Sequence, residues 1–312
     1  MSDDASHRRM VVPRREFLAL AATAIAAPAL SQVGASPGRI ETVDPTASSS
    51  KDSPRIRVWL PPGYDDNPGL YRSLYLLDGQ YAFVGDSKGQ NFAADRRVQR
   101  LSADRTIPPT LVVAIDNAGE DRFLQYMPSS IYDRADPAVR QSVEREIART
   151  GGKPLVSAEF IEFVSTRLKP YIDSRYRTYP DRLNTAVFGA SMAAVMSGAI
   201  LVEAQSAFGR AACMSPNWPL YDKRMLDHPS LPGVWASYFA RLGAPDGRRL
   251  WLDHGTKMMD AGMETHQAAI ADRLTKLGWK PGCNLQRRIY DAGHAFAETA
   301  VQMDEVLAWL LA

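Results

Sequence analysis

From residue 54 onward the chain alternates between two rhythms. Short runs of consecutive apolar residues bounded by turn formers give way to longer stretches with apolar residues at helical spacing. "RIRVWLPP" alternates and stops at a proline pair, as a strand does. "SLYLLDG" (73–79), "TLVVAID" (110–116), the run at 184–188, "RAACMS" (210–215), "RLWLDHG" (249–255) and "NLQRRIYDAG" (284–293) read as further strands. Runs so nearly continuous suit strands covered on both faces. Between them, "SAEFIEFVSTRLKPYIDSRY" (157–176) repeats apolar residues at Phe160, Ile161, Val164 and Leu168, the spacing of a helix. Residues 192–205, 263–277 and 296–311 read as helices too. This alternation predicts an α/β fold, a mostly parallel sheet with helices on both faces, as one domain over 54–312. The segment 117–156 fits no simple element throughout, and long excursions of this kind often carry function.

The first 53 residues follow another pattern. Arg14-Arg15 precede Glu16-Phe17-Leu18, an alanine-rich apolar stretch and small-residue sites at Ala27-Pro28-Ala29 and Val33-Gly34-Ala35. Basic, apolar and cleavable parts in that order predict an export signal over residues 1–35, and the paired arginines resemble a twin-arginine signal. The expected partner is the twin-arginine export machinery, and the expected location periplasmic or secreted. Residues 36–53, "SPGRIETVDPTASSSKDS", are polar and turn-rich and read as a flexible linker.

Composition narrows the function. With 37 Lys+Arg against 35 Asp+Glu, the formal charge is +2. That near balance argues against nucleic acid or an acidic membrane surface as partner. No apolar run is long enough for a membrane span. No phosphate loop, metal cluster or nucleotide fingerprint is present, so no cofactor is expected. Cys213 lies in an apolar run that reads as a buried strand, so a free thiol is expected there, with a Cys213–Cys283 disulfide, which export would permit, as the alternative.

Ligands in open α/β sheets collect at the carboxyl ends of strands. Asp78-Gly79-Gln80, Asp116, Ser191, Ser215 to Trp218, Asp253 to Asp260 and His294 all fall there. In "TAVFGASMAAVMSG" (185–198) a strand turns directly into a helix at Ser191, the setting that lifts a serine oxygen clear of the backbone. A serine hydroxyl needs a base, and the base needs a carboxylate on its other nitrogen. Of the five histidines, His294 closes the last strand, whereas His254 and His266 read as packing or surface residues. Asp260, on a loop five residues past Gly255, is the favoured acid over Asp253, with Glu264 and Asp291 as outside alternatives. The chain order Ser191, Asp260, His294 is that of a hydrolase acting through an acyl-enzyme on a small-molecule ester. The backbone N–H groups of Met192 and Gln80 are the expected oxyanion donors. Tyr126 and Trp218 lie on loops that could wall the pocket, packing being the alternative reading of both.

These segments together resemble the esterase family of α/β-hydrolases that includes enterochelin, feruloyl and acetyl-xylan esterases, esterase D and the mycolyltransferases. "YLLDGQ" and "PYIDSRYRT…GAS" are the more specific parts. The resemblance runs from about residue 54 to the end. It implies the α/β-hydrolase fold, Ser191 as nucleophile, His294 as base, an acid near Asp260 and an oxyanion N–H at Gln80. The family usually carries two glycines after the elbow methionine, where this chain has Ala193-Ala194. Ester hydrolysis of a siderophore, phenolic or sugar ester is the leading expectation. Acyl transfer on the same fold, or siderophore or glycan binding without chemistry, are the alternatives.

Overall fold

The computed structural model describes residues 38–45, 54–86, 88–220 and 222–312. The expected export signal lies outside the described residues. Eight strands form one sheet: β1 (Arg39–Val43), β2 (Ile56–Leu60), β3 (Arg72–Leu77), β4 (Thr110–Ile115), β5 (Thr185–Ala190), β6 (Arg210–Met214), β7 (Arg249–Gly255) and β8 (Leu285–Tyr290). Their order is β1-β2-β4-β3-β5-β6-β7-β8. β1 and β2 run antiparallel to their neighbours, and β4 through β8 are parallel.

The apolar runs that predicted these strands are buried on both sides because period-2 alternation sends successive side chains to opposite faces. Tyr75 and Leu77, Val187, Ala211 and Cys213, and Leu250 and Leu252 enter one core. Leu74 and Leu76, Ala186 and Phe188, Ala212 and Met214, and Trp251 enter the other. The helices, in chain order, are α1 (Ala94–Ala103), α2 (Arg122–Tyr126), α3 (Ser129–Tyr132), α4 (Pro137–Arg149), α5 (Ser157–Glu162), α6 (Lys169–Arg175), α7 (Met192–Glu203), α8 (Leu231–Phe239), α9 (Glu264–Thr275) and α10 (Phe296–Leu311). α1 and α10 close the second core, and α7, α8 and α9 the first. The last turn of α10 is capped from below: Arg210 donates to the carbonyls of Leu310 at 2.7 Å and Ala312 at 2.8 Å, and Arg249 to that of Trp309 at 2.7 Å.

One expectation needs correction. The stretch read as a linker contains β1, which pairs with β2 from Arg39↔Leu60 to Val43↔Ile56. Its side chains are mostly exposed, so it carries almost no hydrophobic pattern; main-chain pairing and the ion pairs of Arg39 with Glu41 and Asp65 hold it. Within 117–156 the chain forms α2, α3 and α4. Asp136 caps α4 by accepting from the N–H groups of Ala138 and Val139. Cys213 and Cys283 are both free thiols, the first buried and the second exposed. Among the described residues no helix is long and apolar enough to cross a membrane.

Candidate active site

The carboxyl ends of β3, β4, β5, β6 and β8 converge on one cavity of about 330 Å³. Ser191 sits between β5 and α7 with φ 60° and ψ −122°, a conformation that non-glycine residues adopt only when the surroundings hold them there. Two close approaches hold it. A Cβ on Gly189 would lie 2.8 Å from the Cβ of Ala193 and closer still to that residue's carbonyl, so glycine lets α7 start directly against the strand. The N–H of Ser191 donates to the carbonyl of Met214 at 3.0 Å, tying the turn to β6. The methyls of Ala193 and Ala194 are fully buried within the core beneath the turn, away from the cavity wall.

Ser191 Oγ lies 2.9 Å from His294 Nε2, and His294 Nδ1 lies 2.6 Å from Asp260 Oδ1. The other oxygen of Asp260 accepts from the N–H of Gly255 at 3.0 Å and from the hydroxyl of Ser215. Burial alone would raise the pKa of Asp260, but the hydrogen bonds from His294 and Ser215 outweigh it and hold the carboxyl below its usual range. Asp260 is therefore an anion facing Nδ1–H, which leaves the lone pair of Nε2 directed at the serine.

Asp253 points elsewhere. It is fully buried and accepts from Trp251 Nε1 at 2.6 Å and from the N–H of Ser215 at 2.7 Å. Burial pushes it up to about 7. Of the other acids and histidines weighed, Glu264 pairs with Arg287 and His254, Asp291 with Lys257, and His266 is buried in α9.

On the opposite wall, Asp78 adopts φ 56° and Gly79 packs so closely on β4 that a Cβ there would lie 2.5 Å from the backbone nitrogen of Ile115. Arg57 donates to the carbonyl of Gly79 at 2.6 Å. Because a trans peptide points its C=O and N–H in opposite directions, the N–H of Gln80 faces away from Arg57. Met192 opens α7, so its N–H lies outside the helix's own hydrogen-bond ladder. The Asp78 carboxylate accepts from Arg122 Nε at 2.8 Å and from Asn117 Nδ2 at 2.6 Å.

The sequence left Tyr126 and Trp218 open between pocket wall and packing, and in the structure both are packing residues. Tyr126 is buried under the β3 turn, where its hydroxyl accepts from the N–H of Asp78 at 3.2 Å. Trp218 packs against Trp235 at 4.7 Å and Phe239 at 5.9 Å. The aromatic wall is made by Tyr81, Phe92 and Phe296 instead, with Gln90, Asn117 and Arg122 supplying polar groups. Phe296 lies 4.5 Å from Phe92 and 5.5 Å from Tyr81, centroid to centroid. The signals available for these were weak: Asp78 and Ser215 were legible as strand-end residues without a role, and the aromatic rings sit in loops or at a helix start.

A mostly parallel sheet with a serine elbow after β5, an acid loop after β7 and a histidine loop after β8 is the α/β-hydrolase fold. Residues 47–310 match the family described as "Putative esterase", and the chain belongs to that family. It is a carboxylic-ester hydrolase. No curated protein matches the chain at a significant level. Among solved structures, an IroE-like serine hydrolase from Shewanella oneidensis is similar at 19% identity and TM-score 0.60, over 88% of this chain and 80% of that one. The enterobactin esterase of Shigella flexneri, solved with enterobactin, gives 16% and 0.59 over 88% of this chain and 58% of that one. A CE1 ferulic acid esterase from the anaerobic fungus Anaeromyces mucronatus gives 17% and 0.56, over 90% and 91%.

Proposed function

We propose that Ser191, His294 and Asp260 form a catalytic triad that hydrolyses esters through an acyl-enzyme. The observation that carries the reading is the continuous line from Ser191 Oγ through both nitrogens of His294 to Asp260 Oδ1. Ser191 attacks the ester carbonyl as His294 takes its proton. Asp260 stabilises the imidazolium, which then protonates the departing alcohol. Water, activated by His294, releases the acid. The N–H groups of Met192 and Gln80 receive the negative charge of the tetrahedral intermediates, and the N-terminus of α7 adds its dipole to the first.

The substrate is a siderophore, phenolic or sugar ester. Three aromatic rings on one wall and amide and guanidinium groups on another suit a planar or ring-shaped group bearing hydroxyls. Export through the twin-arginine route, supported by the pattern of residues 1–35, places the reaction in the periplasm or outside the cell. A panel of acetylated sugars, hydroxycinnamate esters and dihydroxybenzoyl esters, run with wild type and Ser191→Ala, tests the reading. Turnover of one class, absent in Ser191→Ala, is expected; equal turnover in that variant would overturn the triad. Running the panel with a competing alcohol separates hydrolysis, which gives free acid, from acyl transfer, which gives a new ester.

A further inference from the structure

Asp260 does not stand alone against His294. Ser215, the residue after β6, holds φ 43° although it carries a side chain, and it is 4% exposed. Such a backbone is costly for a non-glycine residue and persists where partners enforce it. Here the enforcing partner is visible: the Ser215 N–H donates to Asp253 Oδ1 at 2.7 Å, and Asp253 is itself fixed by Trp251 Nε1 at 2.6 Å. The bent backbone delivers the Ser215 hydroxyl to Asp260 Oδ2, on the side of the carboxylate that His294 does not use. The same hydroxyl oxygen lies 3.1 Å from His294 Nδ1.

The proton inventory admits one arrangement. A serine hydroxyl has one proton and two lone pairs. Asp260 is an anion and accepts it in a charge-assisted bond, which leaves the oxygen of Ser215 as a second, longer acceptor for the Nδ1–H of His294. Asp260 Oδ1 and Ser215 Oγ then embrace one N–H, and if the imidazole switched tautomer its bare Nδ1 would face the anionic Asp260 Oδ1 with no proton between them.

We propose that Ser215, braced by Asp253 and Trp251, is a positioning residue that orients Asp260 and fixes the productive tautomer of His294. This rests on the triad reading. It also gives the buried Asp253 a purpose that the triad leaves without one.

The test compares Ser215→Ala and Ser215→Gly, with Ser191→Ala as reference, on a small activated ester. Both Ser215 variants lose the hydroxyl, but only Ser215→Gly relieves the positive φ. The expected result is a fall in kcat of about 10- to 100-fold in both, with KM unchanged, while Ser215→Gly melts at or above the temperature of Ser215→Ala. A kcat within about twofold of wild type in either variant, with Ser191→Ala inactive, would refute the brace and leave the triad standing. Recovery of kcat in Ser215→Gly relative to Ser215→Ala would assign the residue to backbone geometry alone and overturn the proposal, as would failure of both variants to fold. Persistent activity of Ser191→Ala would instead refute the triad.

Discussion

Replacing Asp260 with asparagine exchanges one carboxylate oxygen for an NH₂ group and is expected to silence the enzyme without unfolding it. The structure fixes how the new amide must sit. One carboxylate oxygen receives two donors, the N–H of Gly255 at 3.0 Å and the hydroxyl of Ser215; the other faces His294 Nδ1 at 2.6 Å. If the amide oxygen keeps the two donors, its NH₂ is turned towards Nδ1. The imidazole must then accept on Nδ1 and carry its proton on Nε2, where it cannot take one from Ser191. The opposite flip would set the NH₂ against the Gly255 N–H, leaving a buried donor unsatisfied at about 1–3 kcal/mol. The first orientation therefore wins, and kcat on a small ester should fall by about 10⁴-fold, or about 5.5 kcal/mol of transition-state stabilisation. Circular dichroism and thermal melting would show the fold intact. Steady-state kinetics of Asp260→Asn beside Asp253→Asn is the assay. Retention of kcat within about tenfold of wild type in Asp260→Asn would refute the reasoning, and a greater loss in Asp253→Asn would move the role of acid to that residue.

Three further outcomes are expected. In Gly189→Ala the new methyl would fall 2.8 Å from Ala193 Cβ, so α7 must shift; kcat should drop about 100-fold with a clear loss in melting temperature, and unchanged values of both would contradict the packing argument. Arg210→Met removes the donors to the Leu310 and Ala312 carbonyls at the end of α10 and should cost about 2–4 kcal/mol in denaturant unfolding while leaving KM alone. Burial raises Asp253 from 3.8 to about 7 and lowers His266 from 6.5 to about 4, so their effects on acid stability oppose each other. Asp253 holds its proton in the fold up to about pH 7, and its contribution, full below about pH 4, is lost as pH rises through 7; that of His266, full above about pH 6.5, is lost as pH falls through 4. Each is worth at most about 3–4 kcal/mol, so relative to wild type His266→Gln should gain stability on going from pH 7 to 4.5 and Asp253→Asn should lose it, as denaturant midpoints at the two pH values would report.

How much of this was legible in the sequence depended on burial. Strands β2 to β7 were readable because both faces are covered, so the chain had to make them apolar almost throughout. β1 was not, since an edge strand with exposed side chains is held by main-chain bonds that leave no pattern. α1 was missed for a related reason: only Ala94, Val98 and Leu101 are apolar on its buried face, and Arg97 is buried beside them with its charge on Asp304. At the site, Ser191, Asp260 and His294 were legible because chain order and strand ends limit where a triad can lie. The pocket walls were not. Tyr126 ends α2 and Trp218 follows β6, both near the site in sequence, yet large rings are buried wherever a core has room, and these two fill the core beneath the cavity. Phe92 and Phe296 reach the wall through a loop and a helix start whose directions only the folded chain sets.

The central claim is that Ser191 is an activated nucleophile. Treating the purified protein with a fluorophosphonate probe and mapping the labelled peptide by mass spectrometry tests it without knowledge of the substrate. Covalent labelling at Ser191, abolished in His294→Ala, is the predicted result. A folded protein that the probe leaves unlabelled, or labels at another serine with Ser191 untouched, would contradict the account.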